Sequence, residues 1–325
     1  MMAQGAQIAI PVVAPFDLHA TVEALHRRPN ALAEPYVDGE YRRILWLDGV
    51  PSLFGLRQLD GATLLLRQLA EEQAEQENAQ RLERAATLLA DAVGASVDLS
   101  EAQAHACRVR ELVPIVRALR GMKPPRFVVL WEALLNVIPF QQVSLASGVA
   151  MLNRLVQALG PRIPYGGTSY YGLPSPEAIL GAAPELLRAC GFSAAKTNTI
   201  RAAAEMIASG GLTESEIAAL DDKQAIARLT QLPGIGPWSA QLLLLRGFRR
   251  LGIFPQGDSG AARSLAGVLG LSVDEAKQRA DDVLAALAPY QGYLYFLLLG
   301  SRLLRQGILP AVNEGEQQTS QRTTP

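Results

Sequence analysis

A short glycine turn in the second half of the chain is the stretch best suited to hold an anion. It reads Gly234-Ile235-Gly236 and is followed by Pro237 and Trp238. Glycine adopts positive φ at little cost and lets a ligand approach the backbone, and proline suits the first turn of a helix. The N–H groups of the turn and the positive end of the following helix can therefore face a phosphate, such as that of a nucleic acid.

An aspartate follows this turn at a position where a further helix can begin. Asp258 comes directly after the sequence Phe-Pro-Gln-Gly, and aspartate is a preferred N-cap residue. A fixed carboxylate can stabilise positive charge that builds on a sugar ring, and it can orient a water molecule. From these features alone, plain packing of two helices and an ordinary N-cap remain alternatives to DNA binding.

Three helices are predicted to position these residues. One begins at Asp221 and carries its apolar residues on one face. The second begins at Pro237 and is expected to end at Arg246, before Gly247. The third begins at Asp258. The pattern is a helix, a tight turn and a helix, followed by a loop that leads to an N-cap aspartate.

Together these stretches resemble a known family. Leu-Pro-Gly-Ile-Gly-Pro-Trp-Ser-Ala followed by Phe-Pro-Gln-Gly-Asp resembles the helix-hairpin-helix, Gly/Pro-rich loop and aspartate signature (HhH-GPD) of the DNA glycosylase superfamily. The spacing of Trp238 and Asp258 is similar to that of the alkylation-repair branch, the AlkA-type DNA-3-methyladenine glycosylases II. The resemblance is nearly continuous from about Pro124 to Arg302. It implies base excision repair by hydrolytic removal of flipped, alkylated bases from duplex DNA.

The resemblance also implies roles for the residues of the site. Asp258 matches the catalytic carboxylate, and Trp238 matches an aromatic residue of the base pocket. Tyr290 stands where the family usually has a tryptophan, and it is assigned to the same pocket. An electron-rich aromatic pocket suits a positively charged alkylated purine through stacking and cation–π contact.

Contact with DNA is implied for two further stretches. Gly234, Ile235 and Gly236 match the hairpin turn that holds the DNA backbone. Gln142, in Gln-Gln-Val-Ser, matches the residue that fills the gap left by a flipped base. Some members of the alkylation branch carry an apolar residue there, whereas others carry a polar one.

Metal and lysine chemistry can also be considered from the sequence. The family hairpin often holds a monovalent cation through backbone carbonyls, which here match Thr230, Leu232 and Ile235. The two cysteines, Cys107 and Cys190, cannot supply a four-thiolate cluster, so no iron–sulfur cluster and no other cofactor is expected.

None of the four lysines lies in the hairpin, and bifunctional relatives place a lysine where this chain has tryptophan. No lyase activity is therefore expected.

The positive charge of the chain is mostly arginine. Arg246, Arg249, Arg250 and Arg263 lie close in sequence to the hairpin and Asp258. Arginine binds phosphate well, although a solvated helix face is an equal alternative for each of them. The net charge of −1 argues against bulk electrostatic coating of nucleic acid and leaves a local DNA face open.

The first part of the chain predicts a small α+β domain. Strands are expected at 7–13, 41–47, 50–59 and 62–69, with Asp48-Gly49 and Asp60-Gly61 in tight turns of an antiparallel meander. Helices are expected at 18–26 and 81–93. We therefore predict an α+β domain at residues 1–98, an all-α HhH-GPD glycosylase domain at 99–308, and a disordered tail at 309–325.

Composition limits the remaining possibilities. The chain lacks a run of apolar residues long enough to span a membrane, and residues 1–14 do not resemble a secretory signal. We expect a cytoplasmic monomer whose partner is damaged double-stranded DNA. A glycosylase for another damaged base, a non-enzymatic helix-hairpin-helix DNA-binding protein and a helical scaffold without a role in nucleic-acid binding remain as alternatives.

Overall fold

The first described part of the chain is an antiparallel sheet of five strands. The computed structural model describes residues 7–26, 31–69 and 75–310. The sheet has the order β1-β5-β4-β3-β2. The strands are β1 (Gln7–Pro11), β2 (Tyr36–Val37), β3 (Glu40–Leu47), β4 (Val50–Gln58) and β5 (Thr63–Gln68). The predicted meander is confirmed, and β2 is a short strand that the sequence analysis did not predict.

The turn between β3 and β4 shows why the meander was predictable. Asp48 and Gly49 have φ of 52° and 76°, which is the left-handed pair that a two-residue hairpin turn requires. Leu47 therefore pairs directly with Val50. The Asp-Gly dipeptide alone fixed the register of these two strands.

Two helices accompany the sheet, α1 (Leu18–His26) and α2 (Glu75–Val93). The predicted start of the second helix at Arg81 was wrong, because the helix already includes Glu75. Glutamate and glutamine are good helix formers, so a polar segment could extend the helix toward its N-terminus.

From residue 100 onward the chain is mainly helical. A two-stranded hairpin, β6 (Arg162–Tyr165) and β7 (Thr168–Tyr171), lies among the helices. Two 3₁₀ turns lie among the helices, the first at Arg110–Leu112 and the second at Ile138–Phe140. The α-helices are α3 (Ser100–Ala106), α4 (Val113–Ala118), α5 (Leu130–Leu135), α6 (Leu145–Leu159), α7 (Pro176–Gly181), α8 (Pro184–Ala189), α9 (Ala194–Ala208), α10 (Glu214–Ala219), α11 (Asp222–Leu229), α12 (Pro237–Phe248), α13 (Ser259–Leu269), α14 (Val273–Leu287) and α15 (Gln291–Arg305).

The predicted end of α12 at Arg246 was wrong. The helix continues to Phe248, and Arg249 caps it in the left-handed region at φ 52°. A Cβ on Gly247 would lie 3.1 Å from the Cβ of Ala133. Glycine at this position therefore serves the close approach of α12 to α5 and does not end the helix.

The core joins the sheet and the helices. One cluster of buried residues runs from Tyr41 and Leu45 of β3 to Leu243 of α12. A second cluster joins Ala24 of α1 to Leu297 of α15. The division into domains at residues 98 and 99 stays a prediction. Within the predicted tail, Leu309 is buried against the second cluster, and residues 311–325 lie outside the described part.

A charged cluster is buried in the first of these cores. Arg43 lies between Tyr41 and Leu45 on the inward face of β3, since alternate residues of a strand point to the same side. Its guanidinium lies 3.1 Å from Glu34 and 2.8 Å from Glu132 of α5. We name Arg43, Glu34 and Glu132 the buried triad. It ties the sheet to the helices.

His26 lies beside this triad and is also buried. Burial, reinforced by the positive charges of Arg43 and Arg246, lowers the pKa of His26 to about 3. The side chain is therefore neutral at ordinary pH.

Among the described residues, no single helix has the length and apolar character needed to cross a membrane. Only α14 and α15 counted together meet those criteria, and they are bent by 120° at the break between them.

Candidate active site

A cavity of about 560 Å³ lies between the segment after the second 3₁₀ turn and the starts of α12 and α13. It brings together three of the sequence-predicted residues, Asp258, Trp238 and Gln142. A pocket of this size can enclose a flipped base together with its sugar.

Asp258 is the N-cap of α13. Its Oδ1 accepts a hydrogen bond of 2.9 Å from the N–H of Ala261, so the orientation of the carboxylate is fixed by the helix. Gly257, at φ 77°, makes the turn that leads into the cap. The side chain is half-buried and lines the cavity.

Trp238 is the second residue of α12 and lies on the wall of the same cavity. Its ring packs against the large core cluster, which holds it in place. Its Nε1 is buried and has no hydrogen-bond partner among the described residues. A buried donor without a partner costs free energy.

The hairpin turn is held rigidly between α11 and α12. Asp221 caps α11 in a reciprocal capping box with Gln224. Gly234 has φ 79°, and a Cβ there would lie 2.0 Å from Oγ1 of Thr199 on α9. No residue with a side chain fits at Gly234. Gly236 is exposed and is the N-cap of α12, so the backbone of the turn is open to solvent.

Gln142 is exposed at the mouth of the cavity and has an unusual backbone. Its φ is 54°, in the left-handed region, which costs about 1–3 kcal/mol for a residue other than glycine. Such strain is retained mainly at functional sites. Ser144, two residues later, caps α6 by accepting from the N–H of Ser147.

Tyr290 is not brought to this cavity, which corrects the sequence prediction. Its hydroxyl is hydrogen-bonded to Glu101, and its ring meets that of His105 edge to face at 5.5 Å. The hydrogen bond to Glu101 raises the pKa of Tyr290. Tyr290 is the N-cap residue of α15, and its hydroxyl meets Glu101 of α3.

The aromatic lining is instead completed by residues that the sequence analysis missed. Phe140 and Tyr295 line the cavity, as do Leu298, Leu299 and Arg302. Tyr295, Leu298, Leu299 and Arg302 follow the spacing of one helical face of α15. That periodicity could have identified them, once it was known which face of α15 the cavity occupies.

Three of the four arginines near the hairpin are hydrogen-bonded to the protein itself, so the sequence alternatives of phosphate binding and a solvated helix face do not describe them. Arg246 is fully buried and donates to the carbonyls of Ala24 and Leu25. Arg249 donates to Asp91, and Arg250 donates to Asp222. Only Arg263 of this group lines the cavity.

The carbonyls predicted to hold a cation belong to the hairpin turn. That of Leu232 accepts the N–H of Ile235 at 3.0 Å and keeps a second lone pair. Thr230 is the C-cap of α11. These carbonyls fit a monovalent cation in donor chemistry. In the described part of the chain, no group of three or more His, Cys, Asp or Glu side chains is arranged to hold a metal.

The sheet, the helical part and a hairpin turn beside a helix-capping aspartate define a helix-hairpin-helix protein. The family described as "HhH-GPD superfamily base excision DNA repair protein" matches residues 135–289. The "DNA-3-methyladenine glycosylase 1" of Schizosaccharomyces pombe is 32% identical over 168 residues, which are 50% of this chain and 67% of the relative. The chain belongs to the HhH-GPD superfamily.

Two further relatives show how far the similarity extends. The "DNA-3-methyladenine glycosylase" of Bacillus subtilis is 28% identical over 52% of this chain, and the chain spans 56% of that relative's length. The solved structure "3-methyladenine dna-glycosylase from Archaeoglobus fulgidus" has a TM-score of 0.73 and 22% identity, and it covers 91% of this chain and 98% of its own. That similarity confirms the α+β part followed by a helical part.

Proposed function

We propose that the chain is a monofunctional DNA glycosylase that removes alkylated bases from duplex DNA. The observation that carries this proposal is the meeting of Asp258, Trp238 and Gln142 at one cavity beside the hairpin turn. The names of the Schizosaccharomyces pombe and Bacillus subtilis relatives support 3-methyladenine as the type of substrate.

Each residue has a physical role in this reaction. The exposed backbone at Gly234 and Gly236, in the turn Gly234-Ile235-Gly236, holds a DNA phosphate, and the dipole of α12 adds to the attraction. Gln142 fills the gap in the base stack while the damaged base enters the cavity. A monovalent cation at the carbonyls of Thr230, Leu232 and Ile235 would bring positive charge to the same phosphate.

Cleavage of the N-glycosidic bond builds positive charge on the deoxyribose. The carboxylate of Asp258 stabilises that charge and orients the attacking water. The leaving base is a cationic purine, so its departure needs little help, and the face of Trp238 holds it by cation–π contact.

The lysines support hydrolysis without strand cleavage. A lyase needs an amine that attacks the sugar, and the hairpin position used by bifunctional relatives is Trp238. Lys196 donates to the carbonyl of Pro139 at 2.8 Å, and Lys277 pairs with Asp274 of the same helix.

The test is release of methylated bases from duplex DNA by wild type and by Asp258→Asn. We expect the substitution to lower base release by about 10²–10³-fold, the effect of removing one electrostatic stabiliser of a transition state. Asparagine caps a helix as well as aspartate, so folding and DNA binding should be retained. Asp282→Asn, an exposed change on α14, is the matched control.

Two products distinguish the possible outcomes. Abasic sites without strand breaks support the monofunctional mechanism, whereas breaks that form together with base release contradict it. A wild-type protein that binds DNA and releases no methylated base would contradict the proposed substrate class.

A further inference from the structure

Gln141, the residue before Gln142, connects two separate parts of the site. Its Nε2 donates to the carbonyl of Gly234 at 2.9 Å and to Oγ of Ser239 at 2.9 Å. A primary amide has two N–H donors, and both are used here. One acceptor is in the hairpin turn, and the other is in the first turn of α12.

The bridge acts between elements that are far apart in sequence. Gln141 and Gly234 are separated by 93 positions. The 3₁₀ turn that contains Pro139 and the hairpin turn that contains Gly234 also meet through α9. There Lys196 donates to the carbonyl of Pro139, and Thr199 packs against Gly234. The hairpin turn and the 3₁₀ turn before Gln142 therefore form one unit.

The backbone on the other side of Gln142 is also fixed. Ser144 caps α6, and a Cβ on Gly148 of that helix would lie 2.3 Å from the ring of Phe140. Only Gln142 and Val143 lie between the residue anchored to the hairpin and the residue that caps α6. The left-handed backbone of Gln142 is thus held from both sides.

We propose that Gln141 is a positioning residue that fixes the inserting side chain of Gln142 relative to the phosphate-holding turn. This inference rests on the proposed function. When the turn holds the DNA backbone, the bridge sets how deep Gln142 enters the base stack. The bridge should matter most where opening the stack is costly and least where the target base is already loosely paired.

The test compares one alkylated base in a fully paired duplex and in a duplex with a mismatched partner. Gln141→Met keeps an unbranched side chain of similar length without the hydrogen bonds. We expect kcat/KM on the paired substrate to fall by about tenfold, because both hydrogen bonds that hold Gln141 to the hairpin turn and to α12 are lost. On the mismatched substrate we expect a loss of no more than about threefold, because less unpairing energy is needed.

Three controls separate positioning from stability. Ser239→Ala removes one acceptor and leaves Gly234, so it should give a smaller loss with the same preference for the mismatched substrate. Gln157→Met makes the same chemical change on an exposed face of α6 and should change neither rate. The thermal midpoint of Gln141→Met should stay close to that of wild type. Equal losses on both substrates, or no loss on either, would overturn the proposal.

A second measurement does not depend on catalysis. The fluorescent base 2-aminopurine, placed opposite an abasic-site analogue, reports insertion of a side chain into the stack. Saturating wild-type protein should change its fluorescence, and Gln141→Met should reduce that change at equal occupancy. An unchanged amplitude would overturn the role of Gln141, whereas absence of base release by wild type would count only against the proposed function.

Discussion

Asp258 and Glu132 are both carboxylates at helix starts, yet their surroundings are opposite. Both oxygens of Glu132 lie 2.8 Å from Nη2 of Arg43, inside the core. Asp258 has one oxygen on the backbone of its own helix, and its side chain lines an open cavity. In the buried triad, charge is satisfied within the protein and holds the sheet to the helices. At the cavity, charge is left available to a ligand.

The arginines show the same contrast. Arg43 and Arg246 are buried with protein partners, whereas Arg263 lines the cavity. Arg246 and Arg263 both lie close in sequence to the hairpin, so proximity along the chain did not distinguish the buried arginine from the one at the cavity. The partners that each residue finds determine whether its charge stabilises the fold or remains open for DNA.

The largest effect should come from Arg43→Leu. Removing this guanidinium leaves Glu34 and Glu132 buried without their counter-charge, and breaking a buried pair costs about 3–5 kcal/mol. We expect a loss of that size in the free energy of unfolding, measured by urea denaturation. Arg84→Leu, which removes an exposed pair with Asp48, should cost less than about 1 kcal/mol. Similar losses for both variants would contradict the contrast between buried and open charge.

The next effect is a pH dependence from His26. Its pKa is lowered to about 3 in the folded protein from the ordinary histidine value of 6.5, so only the unfolded chain takes up this proton between those values. Stability from this residue is therefore complete above the unfolded pKa and is lost as the pH falls below it, by up to about 1.4 kcal/mol per pH unit.

His26→Gln removes that contribution, so its stability should fall less steeply than that of wild type as the pH is lowered from 6.5. Denaturation curves at a series of pH values provide the measurement. If the stabilities of wild type and His26→Gln fall in parallel as the pH is lowered, His26 does not cause the pH dependence of stability.

A smaller effect is expected at the cavity from Trp238→Leu. Leucine keeps apolar bulk and removes the aromatic face, whose contact with a cation contributes about 0.5–2 kcal/mol. The ratio of kcat/KM for a cationic methylated purine to that for a neutral damaged base should fall by about 2- to 30-fold. Equal loss for both substrates would indicate packing alone. Trp238→Phe, which keeps a ring, should recover part of the ratio.

The smallest effect should come from Tyr290→Phe. The tyrosine hydroxyl is bonded to Glu101 outside the cavity, so kcat/KM on methylated DNA should stay within about twofold of wild type. A loss comparable to that of Trp238→Leu would return Tyr290 to the base pocket.

Local signals predicted the pieces of this site well. The preference of aspartate for N-cap positions predicted the starts of α11 and α13, and both caps are present in the structure. The Gly-Ile-Gly stretch predicted a turn, and Gly234 indeed has positive φ. These features depend on a few neighbouring residues, so sequence alone could identify them.

Predictions failed where a residue's role depends on distant partners. Gly247 looked like a helix end, but it meets Ala133 of another helix. The hairpin of β6 and β7 packs Tyr170 against Ile44 of the main sheet, a contact between segments that are far apart in sequence. No local pattern indicates that Arg43 is buried, because both carboxylates that neutralise it come from elsewhere in the chain.

Local sequence was sufficient to predict the antiparallel meander, the hairpin turn and the capping aspartate, because backbone preferences and side-chain caps act over a few residues. The three-dimensional packing was needed to show that Asp258, Trp238 and Gln142 share a cavity, that Tyr290 lies outside it, and that Gln141 joins the hairpin turn to the segment that carries Gln142. Those outcomes depend on long-range packing of α9, α12 and α15, and packing is a property of the whole core.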